Sequence, residues 1–548
     1  MREADNRCYT TGMWNHLPDD QKDNYRCLIL ALAALTPLFS QKSEEHDSPA
    51  PYINSKYQET AFELCFNAQE EDIGNTSFDE SVVIHYSDGT VRKCIVGIKT
   101  FGFASGDQKI AQFKGMRNEL SSRINELSQN TDNLTKAEIN QRNADKFAEL
   151  AKEIATERNK RIESSKAQLR GFTITDEDDI ESVYHVLMPS PKNSAEPEIY
   201  VGETSYLPID INHLTIIGCS DADHPANFTF TDGRHTYRFT PADMQLYMSF
   251  DNADIVKDTW HVKYVAKDEA VAHMKMLYES VYGGKASDAE RMSVSVPAVV
   301  NRIVSPVIAE SYCWMIANSQ GEVERYSGFN SFYGIGSKMP KALRRQRLNA
   351  LKQTYQRISA EVWHLMEKFL FDSSTTAKEK FQKEVDRKQI MDIVRSQFPR
   401  AEDDFAKLLF RPMNEMYIPL PNSKKFHAEH PNFFSRNLRF TDSTFTQIAT
   451  DKDARRFNLV FEPSGDAVPA YITQDAGKAI ESAEKQTILG QWILRDVFQL
   501  PPYEPLTADT LDRIGINAIR LFKVKGGDDV HLQFIYIDGN RMPDDYWE

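Results

Sequence analysis

The fold is decided within residues 59–113, which read ETAFELCFNAQEEDIGNTSFDESVVIHYSDGTVRKCIVGIKTFGFASGDQKIAQF. The runs 82–86 and 91–99 are rich in β-branched residues, which favour strands. Between them lies the pair Asp88-Gly89, a strong signal for a two-residue turn. Together these features predict an antiparallel hairpin at the centre of the stretch.

The register of this hairpin follows from its turn. If Asp88 and Gly89 are the loop residues, partner positions across the ladder sum to 177, so Asp79 faces Ile98. Lys99 is one residue further along and points to the other face, because strand side chains alternate. We therefore assume one β-bulge near the strand ends, which brings Asp79 and Lys99 onto one face.

A helix is expected just before the hairpin. Tyr57, Ala61 and Cys65 recur at helical spacing. This spacing places Glu59 and Glu63 one turn apart on the opposite, polar flank. A helix with two carboxylates therefore precedes a hairpin with an acid and a lysine.

These residue types suit phosphodiester hydrolysis. The reaction needs a hard divalent cation held by carboxylates, which neutralises charge and lowers the pKa of the attacking water. Asp79 with Glu63 or Glu59 could hold Mg²⁺. Lys99 would orient the water or stabilise the charged phosphorus centre. The alternative is a surface hairpin whose Asp79 and Lys99 form an exposed ion pair, worth about 0–1 kcal/mol.

At these residues the chain resembles the PD-(D/E)XK nucleases, the superfamily of most type II restriction endonucleases. The shared order is a helix glutamate, Asp79 at a strand start, a hairpin, and then Ile98-Lys99-Thr100. The resemblance implies Mg²⁺-dependent hydrolysis of DNA that leaves a 5′-phosphate. Asp79 would bind the metal and Lys99 would act beside it.

The chain departs from the family pattern at Gly97, which stands where the second acidic residue belongs. In some relatives a neighbouring helix supplies that carboxylate. The candidates here are Glu63, which we prefer because it lies nearer the hairpin, Glu59 and Asp107. Gln108 and Gln112, expected one helical turn apart, resemble glutamines that several branches place beside the metal or the scissile phosphate.

Composition bounds the class of protein. The chain has 548 residues, 41% of them hydrophobic, which is ample for several packed domains. Its six cysteines form no CxxC pair, which argues against a zinc site and a disulfide framework and favours a cytoplasmic protein. The longest apolar run, 27–39, is too short to span a membrane. A net charge of −15 excludes DNA binding through bulk electrostatics.

Any DNA contact must therefore use local basic patches, and one stands out. Residues 338–357 hold seven Lys or Arg and no acid, behind a glycine- and aromatic-rich loop. A basic helix of this kind suits the phosphate backbone. The alternative is a solvated helix packed on the core, and both can hold at once. The predicted contacts are Lys338, Arg344, Arg345 and Arg347.

The C-terminal third carries a second resemblance. Its pieces are 411–421 RPMNEMYIPLP, 472–480 ITQDAGKAI and 489–493 LGQWI. In this order they resemble the pseudobarrel DNA-recognition domain that some type II restriction endonucleases share with plant transcription factors. The resemblance implies a base-reading arm, whose residues are Arg411, Asn414 and Glu415 and whose chemistry suits base edges. The alternative is that Arg411 and Glu415 pair with each other.

The sequence as a whole predicts an α+β multidomain protein with a restriction-endonuclease-like α/β nuclease core. Residues 1–170 would hold an N-terminal helix, this core and a long exposed helical arm over 140–168, which a capping box of Thr135 and Glu138 precedes. Residues 171–404 would form a helical and β-rich middle region. Its hairpin over 227–239 would place Phe228, Phe230, Tyr237 and Phe239 on one face. Residues 405–548 would form the β-pseudobarrel. The expected activity is that of a homodimeric restriction endonuclease cutting double-stranded DNA. The rivals are a catalytically inactive DNA-binding protein and an anti-phage or repair nuclease without sequence specificity.

Overall fold

The structure is a computed structural model that describes residues 12–39, 48–70, 78–85, 91–131, 133–173, 180–282, 307–325, 328–334, 339–483, 486–539 and 541–547. The chain mixes helices with three β-sheets, as the sequence predicts. It divides into two compact units. Unit 1 comprises residues 1–307 with 513–516, and unit 2 comprises 308–512 with 517–548.

Unit 1 contains seven of the described helices and eleven strands. The helices are α1 Met13–His16, α2 Asp19–Ala34, α3 Thr36–Phe39, α4 Ser55–Phe66, α5 Arg117–Ser128, α6 Lys136–Arg170 and α7 Lys267–Tyr282. The strands are β1 Gln69–Glu70, β2 Glu80–His85, β3 Val91–Thr100, β4 Asp107–Gln112, β5 Ile180–Pro189, β6 Glu198–Ser205, β7 Thr215–Cys219, β8 Phe228–Thr231, β9 Thr236–Thr240, β10 Gln245–Ser249 and β11 Val256–His261.

The first sheet, sheet A, has the strand order β1-β2-β3-β5-β6-β11. All neighbours are antiparallel except β3 and β5, which run parallel and are connected through α5 and α6. A parallel pair needs such a crossover, because a tight turn cannot return the chain to the same end. The sheet combines strands from both sides of the boundary predicted after residue 170, so the units divide the chain differently from the predicted domains.

The predicted hairpin is β2 and β3, but its predicted register is wrong by one residue. Glu80 faces Val96 and His85 faces Val91, so partner positions sum to 176 rather than 177. The proposed turn Asp88-Gly89 lies outside the described residues. A different loop length between the paired ends shifts the whole ladder, which is why the turn motif alone misplaced it.

Sheet A has two differently covered faces. On one face, α1, α2 and α4 pack on alternate residues of β3 that include Val96 and Ile98. On the other face, Ile95 and the β5 residues Tyr184 and Val186 share a core with α6 and the second sheet. This division follows from the two-residue period of a strand.

The helix predicted as an exposed arm is instead the central helix of unit 1, and that prediction is wrong. The capping box of Thr135 and Glu138 is present at its start, as predicted. However, Phe147, Leu150 and Ile154 are fully buried against both sheets. Charged residues dominate the composition of α6, but long charged side chains can cover an apolar stripe while their ends reach water.

The second sheet, sheet B, has the order β4-β10-β9-β8-β7. The prediction of an amphipathic hairpin here is confirmed, with one buried face that consists of Phe228, Phe230, Tyr237 and Phe239. Its edge strand β4 contains Gln108 and Gln112, so the helical spacing predicted for these two glutamines is wrong. The alternating burial of sheet B explains why β4 is extended, since Ala111 joins its buried face.

Unit 2 contains the remaining described α-helices and strands, except that the last two residues of its final helix belong to unit 1. The helices are α8 Lys341–Thr354, α9 Ala360–Phe371, α10 Ala377–Gln397, α11 Glu402–Leu409, α12 Ser423–Glu429, α13 Gln486–Gly490 and α14 Ala508–Ile514. Its strands are β12 Ile308–Met315, β13 Ile418–Pro419, β14 Arg456–Glu462, β15 Asp466–Thr473, β16 Ala479–Ser482, β17 Ala518–Val524 and β18 Val530–Ile535. The helices α8 to α11 share one apolar core.

The strands of unit 2 form one seven-stranded sheet in the order β12-β17-β18-β14-β15-β16-β13. Its two outer strands, β12 and β13, do not pair with each other in the described residues, so the sheet is not closed into a barrel there. The strand β12 precedes residue 405, where the C-terminal domain was predicted to begin. Within the described ranges of both units, no helix is long and apolar enough to cross a membrane.

Candidate functional site

The carboxylate of Asp79 lies at the beginning of β2, where the strand is irregular. The main-chain N–H of Asp79 donates to the carbonyl of Val96 at 3.0 Å. Val96 is also the register partner of Glu80. Two successive residues therefore oppose one residue of β3, as in a β-bulge.

This irregular step brings Asp79 to the end of β3. Its Oδ2 accepts a hydrogen bond from the main-chain N–H of Ile98 at 2.6 Å and from Nζ of Lys99 at 3.1 Å. Two residues separated by a hairpin thus form one acid and lysine pair. The juxtaposition on which the sequence prediction depends is present.

The pair is accessible and keeps one oxygen free. The side chains of Asp79 and Lys99 are 24% and 31% exposed. Oδ1 of Asp79 has no hydrogen-bond partner within the part of the chain that the structure describes. A cation or a water can therefore approach this oxygen while Oδ2 stays fixed by the end of β3.

The position next to this pair, Gly97, is closed by an aromatic ring. A Cβ atom at Gly97 would lie 2.6 Å from Cδ1 and Cε1 of Tyr184, its register partner on β5. Tyr184 is 1% exposed, and its hydroxyl accepts a hydrogen bond from the buried guanidinium of Arg158 at 3.3 Å. Burial raises the pKa of Tyr184, Arg158 lowers it, and the charge of Asp79 raises it further.

The two helix glutamates do not share the face of Lys99. Glu59 and Glu63 belong to α4, whose buried side, including Phe62, packs with Val96 and Ile98. Glu59 forms an ion pair with Lys56 at 3.0 Å. A carboxylate from α4 could approach Asp79 only around the strand ends.

The other predicted donors lie in sheet B. Both oxygens of Asp107 accept hydrogen bonds from Arg238, at 2.6 and 2.9 Å. Such a two-pronged ion pair already occupies the carboxylate, so Asp107 is a poor metal donor. Gln108 pairs with Met248 across β4 and β10. The amide of Gln112 donates to the carbonyl of Asp243 at 2.9 Å.

The ligands around Asp79 fit Mg²⁺ only if the ion takes a single carboxylate from the protein. Across the described ranges, one group of three acidic, histidine or cysteine ligands lies within ligand distance. It consists of Glu196, just before β6, with Glu198 on β6 and His261 on β11. Asp79 is not part of such a group. Mg²⁺ keeps several waters and binds through one or two carboxylates plus substrate phosphates, so a single carboxylate is compatible with it.

The basic helix predicted to contact DNA is α8, and its arginines differ in their freedom. Arg344 donates from Nε to the carbonyl of Met339 at 3.1 Å and also bonds the carbonyl of Leu370 near the end of α9. Its guanidinium therefore helps to hold two helices together. Lys338 lies outside the described residues.

Two further arginines of α8 face solvent. The guanidinium of Arg345 stacks on the ring of Phe371, 4.3 Å from its centroid. Arg347 is exposed and has no ion-pair or hydrogen-bond partner among the described residues. Both are free to meet a phosphate.

The predicted base-reading residues are engaged with the protein itself. Arg411 donates to Glu415 at 3.2 Å, the pairing that the sequence left as an alternative. Oε1 of Glu415 also accepts from the hydroxyl of Ser331 at 3.5 Å. The amide of Asn414 donates to Oε1 of Gln491 at 3.0 Å. These contacts would have to be exchanged for contacts to bases.

Sequence reasoning missed Tyr184 and Arg158. Tyr184 stands in an apolar strand and reads as ordinary core, while Arg158 stands in a charge-rich helix and reads as solvated. Only the parallel pairing of β3 with β5 places Tyr184 beside Gly97. A glycine at the expected acid position was the one signal that something else fills that space.

Comparison with known proteins adds no relative. No protein-family model matches the chain, and a search of the curated proteins finds no match.

Proposed function

We propose that this protein is a Mg²⁺-dependent endonuclease that hydrolyses double-stranded DNA in the manner of a type II restriction enzyme. The observation that carries the proposal is the contact of Asp79 Oδ2 with Lys99 Nζ at 3.1 Å, beside a free Oδ1. A carboxylate with an open oxygen next to an ammonium group serves phosphodiester hydrolysis, which needs both a metal ligand and a positive charge at phosphorus.

Each residue has a separate role in the proposed reaction. Asp79 would hold Mg²⁺ through Oδ1, and the metal would supply charge neutralisation and a more acidic water. Lys99 holds Asp79 in place through Oδ2. Its remaining N–H groups can donate to an oxygen of the scissile phosphate or to the attacking water, since an ammonium carries three donors.

The DNA contacts are proposed from charge and from the second resemblance. Arg345 and Arg347 on α8 would bind phosphates, which position a protein without reading sequence. The segment with Arg411, Asn414 and Glu415 would read bases once its internal contacts are exchanged. Two copies of the chain would cut both strands in one event. A two-fold symmetric dimer is the commonest homo-oligomer and would place one active site on each strand.

A catalytically inactive DNA-binding protein is the second candidate. The observation that favours it is the ring of Tyr184 over Gly97, which leaves no space for the second acid of the family pattern. A nuclease that cuts without sequence preference is the third. All three would bind DNA, but they differ in whether strands break and where.

One experiment separates the three. The purified full chain is incubated with supercoiled plasmid and Mg²⁺ or with EDTA, and the ends of any products are sequenced. The proposal expects Mg²⁺-dependent linear products with ends at a recurring sequence. Scattered ends would support the nuclease without sequence preference. Bound but intact plasmid would overturn the nuclease proposal in favour of a binding protein.

A further inference from the structure

The space beside Gly97 is filled by the ring of Tyr184. The ring of Tyr184 lies where the first atom of a side chain at residue 97 would stand, 2.6 Å away. This distance is far below a carbon contact distance of about 3.5–4.0 Å. Any acid at position 97 would therefore displace the ring or the strand.

The ring has no room to move aside. The centroid of Tyr206 lies 4.2 Å from that of Tyr184, and the centroid of Phe250 lies 5.1 Å away. Arg158 donates to the hydroxyl of Tyr184 and covers the ring of Tyr206 at 4.4 Å. Both Tyr184 and Arg158 are 1% exposed. Such close packing allows few alternative rotamers.

The exchange changes the charge of the centre. A second carboxylate would add a negative charge and two oxygen ligands beside Asp79. Instead, a neutral phenol stands there with the cation of Arg158 behind it. The ammonium of Lys99 also lies beside Asp79, 3.1 Å from its Oδ2. The two cations, Arg158 and Lys99, should lower the affinity of the free protein for a divalent cation, because like charges repel. The phenol adds no negative charge to offset them.

We propose that Tyr184, positioned by Arg158, replaces the second acidic residue, so that Asp79 is the only protein carboxylate on the metal. The ion is then bound together with DNA, whose phosphate supplies the ligands that the protein lacks. The inference rests on the proposed function. It assigns Tyr184 a positioning role, since its hydroxyl is buried and bonded to Arg158.

The first test measures Mn²⁺ binding to the full chain by electron paramagnetic resonance, with and without a DNA duplex. We expect one ion per chain, bound at least about tenfold more tightly with the duplex than without it, within the usual range of coupling between two ligands. Duplex alone and Asp79→Asn with duplex give the background. Two ions per chain that Asp79→Asn removes together, or equally tight binding of the Asp79-dependent ion without DNA, would overturn the inference. An ion that the Asp79→Asn variant retains belongs to another group, such as Glu196, Glu198 and His261.

The second test restores the missing acid. The variant Gly97→Asp with Tyr184→Ala makes room for a second carboxylate, and Gly97→Asn with Tyr184→Ala is its uncharged match. Without DNA, the aspartate variant should bind Mn²⁺ at least about tenfold more tightly than the asparagine variant, because of the added charge near the ion. Equal affinities in folded variants would show that this space does not belong to the metal site.

The two proposals fail in different ways. If the wild-type protein cuts DNA but holds two ions that depend on Asp79, or binds the Asp79-dependent ion tightly without DNA, only the role of Tyr184 is overturned. If the wild-type protein neither cuts DNA nor binds Mn²⁺ above the background of duplex, the proposed function is overturned as well. Should the double variants not fold, the number of ions and the effect of DNA on the wild-type protein still decide the inference.

Discussion

Two pairs of oppositely charged residues, one in each unit, were predicted to be functional. Their surroundings in the structure differ. Asp79 and Lys99 come from two strands, and Asp79 keeps one oxygen without a partner in the described residues. Arg411 and Glu415 stand four residues apart, and each makes further contacts besides their mutual bond. Glu415 is only 12% exposed, half the value of Asp79.

The difference concerns how each pair is assembled. Residues four apart in sequence come into contact in any helix-like turn, so their contact says little about function. A pair joined across a hairpin requires a particular register, and here it also requires an irregular step at Asp79. The Asp79 and Lys99 pair, which requires this special backbone geometry and keeps one carboxylate oxygen open, is therefore the better candidate for a catalytic site.

The largest effect on cleavage is expected from Asp79 and Lys99. Asp79→Asn or Lys99→Met should lower the rate of DNA cleavage by about 10²–10³-fold or more, the usual loss when one charge-stabilising group is removed. DNA binding should remain. The rate is measured on plasmid under single-turnover conditions.

The matched control for that loss is another ion pair of unit 1. Asp107 and Arg238 are 28% and 31% exposed, close to the values of Asp79 and Lys99. Asp107→Asn should leave the cleavage rate within about threefold, since it removes a surface contact. Loss of cleavage from Asp107→Asn alone would move the metal site to sheet B.

Glu203 in unit 1 is a 5% exposed carboxyl that has no ion-pair partner among the described residues. Burial raises the pKa of Glu203 to about 7, while the N–H groups of Trp14 and Met13 and the charge of Lys257 oppose the rise and Glu181 adds to it. Ionised Glu203 is therefore disfavoured in the fold relative to the unfolded chain. The stability that the fold gains with protonated Glu203 is fully present below pH 4.5 and is lost as the pH rises to about 7.

Glu203→Gln removes this titration. Relative to the variant, the free energy of unfolding of the wild-type protein should fall by about 3 kcal/mol between pH 4.5 and pH 8. Chemical denaturation at several pH values measures the difference. Glu196→Gln, at a 78% exposed carboxyl, should show no such change. A difference that stays constant with pH would mean that Glu203 ionises normally.

The segment with Arg411 and Asn414 is expected to affect the preference for one DNA sequence over another. Arg411→Ala or Asn414→Ala should reduce the discrimination between cognate and scrambled duplexes by about 1–3 kcal/mol, the value of one good base contact. Arg436→Ala, at an 81% exposed side chain, serves as the control. Binding that weakens equally on both duplexes would make Arg411 a structural residue, as its bond to Glu415 indicates.

Short-range patterns were readable from the sequence, and long-range ones were not. The β2 and β3 hairpin, the buried face of Phe228 and Phe230, and the cap of α6 at Thr135 were all predicted correctly. Each depends on residues close in sequence. The register failed because it depends on the loop length, and the burial of α6 failed because its charges concealed the apolar stripe.

The candidate site divides in the same way. Asp79 and Lys99 were found because one hairpin carries both. Tyr184 was missed, since β5 reaches β3 only after the long crossover of α5 and α6. No local pattern reports such a neighbour. The face of the sheet on which α4 packs was likewise unknown, and it separates Glu63 from Lys99.

A smaller effect is expected on the salt dependence of DNA binding. Arg345→Ala with Arg347→Ala should lower the slope of log affinity against log salt by about two units, roughly one for each lost phosphate contact. Site preference should survive. Arg344→Ala should instead lower thermal stability, because its guanidinium bonds the carbonyls of Met339 and Leu370. An unchanged slope in the double variant would remove α8 from the DNA surface.

The smallest effect is expected from the helix glutamates, and it is informative because it is small. The sequence preferred Glu63 as the second metal ligand, yet α4 packs on the face of sheet A opposite Lys99. Glu63→Gln and Glu59→Gln should therefore each change the cleavage rate by no more than about threefold, as for a surface change of about 0.5 kcal/mol.

The comparison between Glu63 and Asp79 decides how the second acid is supplied. A loss of more than about a hundredfold in Glu63→Gln, as large as that of Asp79→Asn, would mean that α4 reaches the metal around the strand ends. Tyr184 would then only fill space, and the centre would hold its ion through two carboxylates. A small loss, together with weak Mn²⁺ binding by the free protein, leaves DNA as the source of the missing ligands.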